Sequence, residues 1–265
     1  MDTGTQPDPW LALRQHTTAR IALGSSGNSM PTHELLRFGV AHAQARDAVH
    51  SPLDADALRG ELVQQGFEVL ELESAAPDRA TYLRRPDLGR QLSARSREVL
   101  RGRPASTLDV LCVIGDGLSA TAVHHSATAV LVELRPYLER EGLRLGPVVL
   151  ACQARVALGD PIGEALGAAS VLMLIGERPG LSSSDSLGAY FTWAPRAGRA
   201  DSERNCVSNI RQQGLAPVEA AYRLGWLIAA ARGLGRSGIA LKDESGGGVS
   251  PGGQTTATGS LDDRR

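Results

Sequence analysis

Three short, nearly uninterrupted apolar runs constrain this chain more than any other feature. They are Leu108–Ile114 (LDVLCVI), Pro147–Cys152 (PVVLAC) and Ser170–Ile175 (SVLMLI). A strand with water on one face alternates apolar and polar residues. A strand apolar along its length needs cover on both faces, as in parallel sheets with helices above and below. The intervening sequence supplies such helices at Ser119–Glu139 and around Ile162–Leu166. Ala189–Trp193 (AYFTW) reads as a fourth strand, and Asp201–Arg211 and Pro217–Arg232 read as two further helices. The expected class is α/β, a Rossmann-like three-layer parallel sheet, over residues 106–242. Residues 14–105 form an N-terminal mainly helical region. It holds a helix at Thr32–Val49, with Leu35, Leu36, Val40 and Ala43 at helical spacing, a short strand at Glu68–Leu72, and a polar loop at Tyr82–Arg90 from which a helix starts near Asp87. Residues 1–13 read as a flexible leader. Residues 243–265 are Gly, Ser, Thr, Asp and Arg with almost no large apolar side chains. Such a segment cannot bury enough surface to offset its ordering entropy, so it reads as a disordered tail.

Composition excludes several function classes. The formal net charge of −1 gives no global electrostatic case for nucleic acid or an anionic membrane. No apolar run approaches the roughly 18 residues of a membrane span. The N-terminus carries no charged-then-apolar signal pattern, which makes the cytoplasm the default location. Cys112, Cys152 and Cys206 are odd in number and far apart, without a CxxC pair, so neither a disulfide framework nor a compact zinc site is expected. Lys242 is the only lysine and borders the expected tail, which argues against Schiff-base chemistry on a buried lysine.

Ligands of open parallel sheets sit beyond the carboxyl ends of the strands. Three turns meet that condition: Asp116–Ser119, Gln153–Val156 and Glu177–Gly180. Each joins small residues to a polar or charged one, which supports a shared site; the alternative for Gly115 and Gly117 is a purely conformational role. Glu177-Arg178 directly follows a buried strand. It reads either as a polar ligand contact or as a mutual salt bridge on the rim. Arg204–Asn209, taken as the first turns of a helix, would offer free N–H donors. Other signals carry less. Gly233-Leu-Gly235-Arg-Ser-Gly238 matches a dinucleotide pattern but follows a helix instead of a strand, so a helix C-cap is the better reading. His124 and His125 point about 100° apart on one helix and cannot easily share a metal. Cys206 has no histidine near it in sequence and ranks as a packing or ligand-contact residue, not a nucleophile.

The segments TTARIALGSSGNSMPT (Thr17–Thr32), YLRRPDLGR (Tyr82–Arg90), DGLSA (Asp116–Ala120), ARVALGDPIGE (Ala154–Glu164), GERPGLSSSDSLGAY (Gly176–Tyr190) and RNCVSNIR (Arg204–Arg211) resemble, in order and spacing, the small subunit of ethanolamine ammonia-lyase. The resemblance runs roughly from Trp10 to Lys242. It implies a carbon–nitrogen lyase that converts ethanolamine to acetaldehyde and ammonia by adenosylcobalamin radical chemistry. It further implies cobalamin contacts at Val156, Glu177 and Cys206, with no catalytic residue and no metal ligand on this chain. The implied partner is a large barrel subunit that holds the substrate, with the cofactor between the two; 265 residues without an eightfold strand–helix repeat cannot supply both. The implied cobalamin is base-on, in keeping with the absence of a DxHxxG motif. Enteric members carry a longer amphipathic N-terminal extension linked to packaging in a bacterial microcompartment, where this chain has a short Gly/Pro-rich leader. Two other readings of the residues stand beside this one: a stand-alone Rossmann-type small-molecule enzyme using Asp116 or Glu177 as acid or base, and a non-catalytic cofactor-binding sensor.

Overall fold

The computed structural model describes residues 5–6, 8–17, 19–103 and 107–247. A two-residue ladder near the N-terminus pairs β1 (Thr5–Gln6) with β2 (Ser25–Ser26). Four helices and a strand follow: α1 (Thr32–His50), α2 (Ala55–Gln64), β3 (Val69–Glu73), α3 (Arg79–Arg84) and α4 (Ala94–Arg101). Side chains one residue ahead of α2, α3 and α4 accept from orphan backbone N–H groups: Asp54 from Ala57 (3.0 Å), Asp78 from Thr81 (2.7 Å) and Ser93 from Ser96 (3.0 Å). The second half runs β4 (Leu108–Gly115), α5 (Ala120–Arg140), β5 (Val148–Cys152), α6 (Gly159–Leu166), β6 (Ala168–Gly176), β7 (Leu187–Trp193), β8 (Arg204–Ile210) and α7 (Pro217–Leu234). No helix among the described residues is long and apolar enough to cross a membrane.

One six-stranded sheet holds the fold together, in the order β3-β5-β4-β6-β7-β8. The first four are mutually parallel, and β7 and β8 are antiparallel additions, so the sheet is mixed where a parallel one was expected. The apolar runs explain the centre. Along β4, Val110, Cys112 and Ile114 enter one core cluster with α2, α5 and α7, while Leu111 and Val113 enter the other with α4 and α6. In β6 the same alternation sends Leu172 and Leu174 one way and Val171, Met173 and Ile175 the other. Each such fully buried side chain contributes about 1.5–3 kcal/mol of transfer free energy.

Three local expectations are corrected. Asp201–Arg211 is not a helix: a single turn at Asp201–Glu203 leads into β8. The five residues Asn205–Asn209 are all weak helix formers, and pairing with the free edge of β7 decides the outcome. Tyr82 lies in α3 instead of a loop, and only one helical turn forms at Leu88–Arg90. Residues 243–247, assigned to the tail, lie against α7, where Ser245 is buried and its carbonyl accepts from the Tyr222 hydroxyl (3.4 Å). The rest of the expected tail, 248–265, and residues 1–4 and 7 of the leader fall outside the described residues. Gly235 ends α7 with φ +65°, the C-cap role that its sequence context suggested.

Candidate functional site

The three turns lie together at the carboxyl ends of β4, β5 and β6, but they do different work. The first is a structural lock. Asp116 is buried and accepts from the Ala154 backbone N–H (2.9 Å) and from Arg79 Nη1 (3.1 Å). Arg79 also donates to the carbonyls of Gly117 (2.8 Å) and Val49 (2.7 Å), so one carboxylate joins the β4 turn, the β5 turn and α3. Burial pushes the Asp116 carboxyl up, against the pull of the Ala154 amide and the Arg79 charge. Gly117 has φ +55°, and a Cβ there would fall 2.2 Å from the Gly176 carbonyl oxygen. The glycine is thus required by the close approach of two turns. Ser119 caps α5 through Ala122 N–H (3.2 Å) and donates to the Ser184 carbonyl (2.7 Å), anchoring the Ser-rich loop.

The second turn opens on a cavity of about 640 Å³. It is lined by Arg155 and Val156 of that turn, by Tyr190 and Cys206, and by Asp160, Pro161, Arg199, Arg204 and Arg90. Tyr190 and Cys206 are direct cross-strand partners on β7 and β8, which places both side chains on the same sheet face. Partial desolvation pushes the Cys206 thiol up; the Tyr190 hydroxyl pulls against this and the Glu177 carboxylate adds to it. A thiol held protonated is a poor nucleophile. Arg204 is consumed internally: its Nη1 and Nη2 bind Asp160 bidentately at 2.7 Å each, and Nη1 also donates to Thr192 Oγ1 (2.9 Å). That buried pair ties α6 to the β7–β8 hairpin, and both residues line the cavity.

The third turn brings Glu177 across β7. Its Oε2 accepts from the Ser186 hydroxyl (2.5 Å) and the Asn209 backbone N–H (3.3 Å). A bulge makes the second contact possible. Leu187 pairs with Ile210 but Ala189 pairs with Val207, so Ser208 and Asn209 together oppose Gly188. Asn209 takes φ +59°, which turns its N–H toward the carboxylate. A Cβ on Gly188 would lie 2.9 Å from Glu177 Oε1, so glycine there clears the path. No Glu177–Arg178 salt bridge forms among the described residues: Arg178 is exposed, and the carboxylate is held by Ser186 and Asn209.

Val156 and Cys206 therefore share one cavity. Glu177 does not line it, yet its charge reaches both Tyr190 and Cys206. Asp116 does not face the cavity. Arg204–Asn209 provides no helix N-terminus, and it is the Asn209 N–H at the bulge that donates to the Glu177 carboxylate. His124 Nε2 accepts from the Asp54 backbone N–H (3.1 Å), a packing role. Tyr190, Arg155, Arg90 and the Asp160–Arg204 pair were not singled out from the sequence. Their segments carry the turn and motif signals, but cross-strand register and the α6 contact depend on tertiary structure.

Comparison with known proteins bears on the chain as a whole. A family model described as "Ethanolamine ammonia-lyase light chain" matches residues 7–242. A protein of Xanthomonas campestris pv. campestris named "Ethanolamine ammonia-lyase small subunit" is 52% identical over 250 residues, covering 92% of each chain. Proteins of the same name from Rhodopseudomonas palustris (54% over 245 residues, 91% of this chain and 94% of that one) and Bradyrhizobium diazoefficiens (55% over 240 residues, 89% and 91%) are similarly close.

Proposed function

Because the chain belongs to the ethanolamine ammonia-lyase light chain family, we propose that it is the small subunit of an adenosylcobalamin-dependent ethanolamine ammonia-lyase and holds part of the cofactor at its junction with a large subunit. The observation that carries this reading is the convergence of Val156 and Cys206 on one cavity at the carboxyl ends of the strands, with the Glu177 carboxylate acting on the Cys206 thiol.

The side chains present fit a corrinoid. Val156, Pro161 and the Tyr190 ring offer apolar surface to a flat macrocycle. Glu177 lies outside the cavity with its Oε2 held by Ser186 and Asn209, which leaves Oε1 as the acceptor for an amide or hydroxyl donor of a corrinoid that extends past the cavity. Size supports a two-chain site. Pockets of about 300–1,000 Å³ enclose drug-sized ligands, and a corrinoid is far larger, so about 640 Å³ covers only part of it. When bound, the cofactor supplies an organic radical by homolysis of its cobalt–carbon bond. This chain's residues bind and orient the cofactor and keep water from it; partial burial pushes the Cys206 thiol up, and Asp116 is locked away from the cavity.

Co-expression with a candidate large subunit tests the reading. The two chains should co-purify and release acetaldehyde from ethanolamine when adenosylcobalamin is added, while the single chain should be inactive. Ethanolamine turnover by this chain alone would refute it.

A further inference from the structure

Four guanidinium groups line or edge the cavity, and two are already committed. Arg204 is bound bidentately by Asp160, and Arg199 pairs with Glu203 and donates to the Ala194 carbonyl (Nε, 3.0 Å). Arg90 and Arg155 have no carboxylate partner among the described residues. Arg155 is not loosely placed. Its guanidinium lies 4.3 Å over the ring of Tyr82, a fully buried residue whose hydroxyl donates to the Ala154 carbonyl (2.8 Å). Its backbone N–H donates to the Gly89 carbonyl (2.8 Å), which sets the adjoining Arg90 beside it. A Cβ on Gly89 would fall 2.9 Å from both Arg155 Cγ and Tyr82 Cε2, so glycine permits this stack. Yet Arg155 Nε is buried without a hydrogen-bond partner among the described residues. A buried cationic donor is costly unless an acceptor meets it, and guanidinium forks match phosphate oxygens in charge and geometry.

We propose that Arg90 and Arg155 form an anion subsite on the cavity rim that takes a phosphodiester. Resting on the functional reading above, that group is the phosphodiester in the nucleotide tail of the corrinoid. Tyr82 and Gly89 act as positioning residues that hold Arg155 ready.

The test compares two corrinoids on the complex of this chain with a large subunit: adenosylcobalamin, and adenosylcobinamide, which lacks the phosphodiester and base. Dissociation constants are read by equilibrium dialysis and absorbance. Arg90→Gln/Arg155→Gln should weaken adenosylcobalamin by roughly ten- to a hundredfold and leave adenosylcobinamide within about twofold, taken as experimental scatter around no change. Arg155→Lys should recover part of the loss, and the exposed Arg90→Gln alone should show the same selectivity if the double variant misfolds. Equal weakening of both corrinoids, or of neither, would overturn the subsite. A separate arm uses inorganic phosphate as probe. It should saturably raise the melting temperature of the wild-type complex but not of the double variant. Phosphate binding without corrinoid binding would sink the cofactor reading and leave the subsite standing; neither ligand binding would remove both.

Discussion

Helices α1 and α5 are nearly equal in length, 19 and 21 residues, yet α5 buries nine of its residues and α1 only three. In α5, Val123, Ala127, Val130, Leu134 and Leu138 fall at spacings of three and four and close against the sheet and α7. In α1 the buried residues are Glu34, Ala41 and Ala48, while Leu35 (58% exposed), Leu36 (65%) and Val40 (58%) stand on the opposite side. The buried Glu34 carboxylate is held by Arg37 on the same helix (3.0 Å) and by Arg14 from the segment before it (3.6 Å). The apolar stripe of α5 is satisfied inside the chain, and that of α1 faces outward. A helix turned this way suits a subunit whose surface is completed by another chain, and contiguous exposed apolar surface marks such contacts.

The contrast predicts where substitutions will hurt. The largest effect belongs inside the closed region. Arg204→Met leaves Asp160 buried without its partner and should lower unfolding stability by about 3–5 kcal/mol in denaturant titration; a loss under about 1 kcal/mol, the range of an exposed pair, would show that the pair is not sequestered. Leu134→Ala in α5 should cost about 2–5 kcal/mol. The matching Leu36→Ala in α1 should stay within about 0.5 kcal/mol on the isolated chain but weaken association with the large subunit in sedimentation or titration calorimetry. Comparable stability losses at the two positions would erase the distinction between the helices.

At the open face the effect should be on binding and not on folding. Glu177→Gln keeps the side chain's size and removes its charge, so apparent cofactor affinity should fall roughly ten- to a hundredfold. The kcat should largely recover at saturating adenosylcobalamin, because uniform binding was lost. A kcat deficit that excess cofactor cannot rescue would assign Glu177 to the chemical step. The smallest effect concerns Cys206, exposed yet with its thiol pushed up by partial desolvation. Because the folded thiol holds its proton to higher pH, iodoacetamide labelling at neutral pH should be slower than for a free cysteine and rise only as pH climbs past the ordinary thiol range. Fast labelling at pH 7 would contradict the environment described.

The legible parts of this protein are those whose physics is local. Nearly uninterrupted apolar runs announce β4, β5 and β6, and apolar residues at helical spacing announce α1. The turn at Asp116 was rightly placed at the strand ends, but its purpose was not legible: Gly117 is there to admit the Gly176 carbonyl, a contact between residues 59 apart in the chain. β8 was misread because Asn205, Cys206, Ser208 and Asn209 carry no strand signal of their own, and β7 supplies the ladder. At the site, Val156 and Cys206 came from resemblance, and the cavity now joins them. Tyr190 entered only through its register with Cys206, and Arg155 only through its stack on Tyr82.

Equilibrium dialysis of adenosylcobalamin against this chain, against the large subunit, and against the two mixed tests the central claim most directly. Tight retention should require the mixture, and Glu177→Gln in this chain should shift half-saturation upward without reducing the amount of complex formed. Retention by the large subunit alone, with an affinity unchanged when this chain is added, would contradict the account.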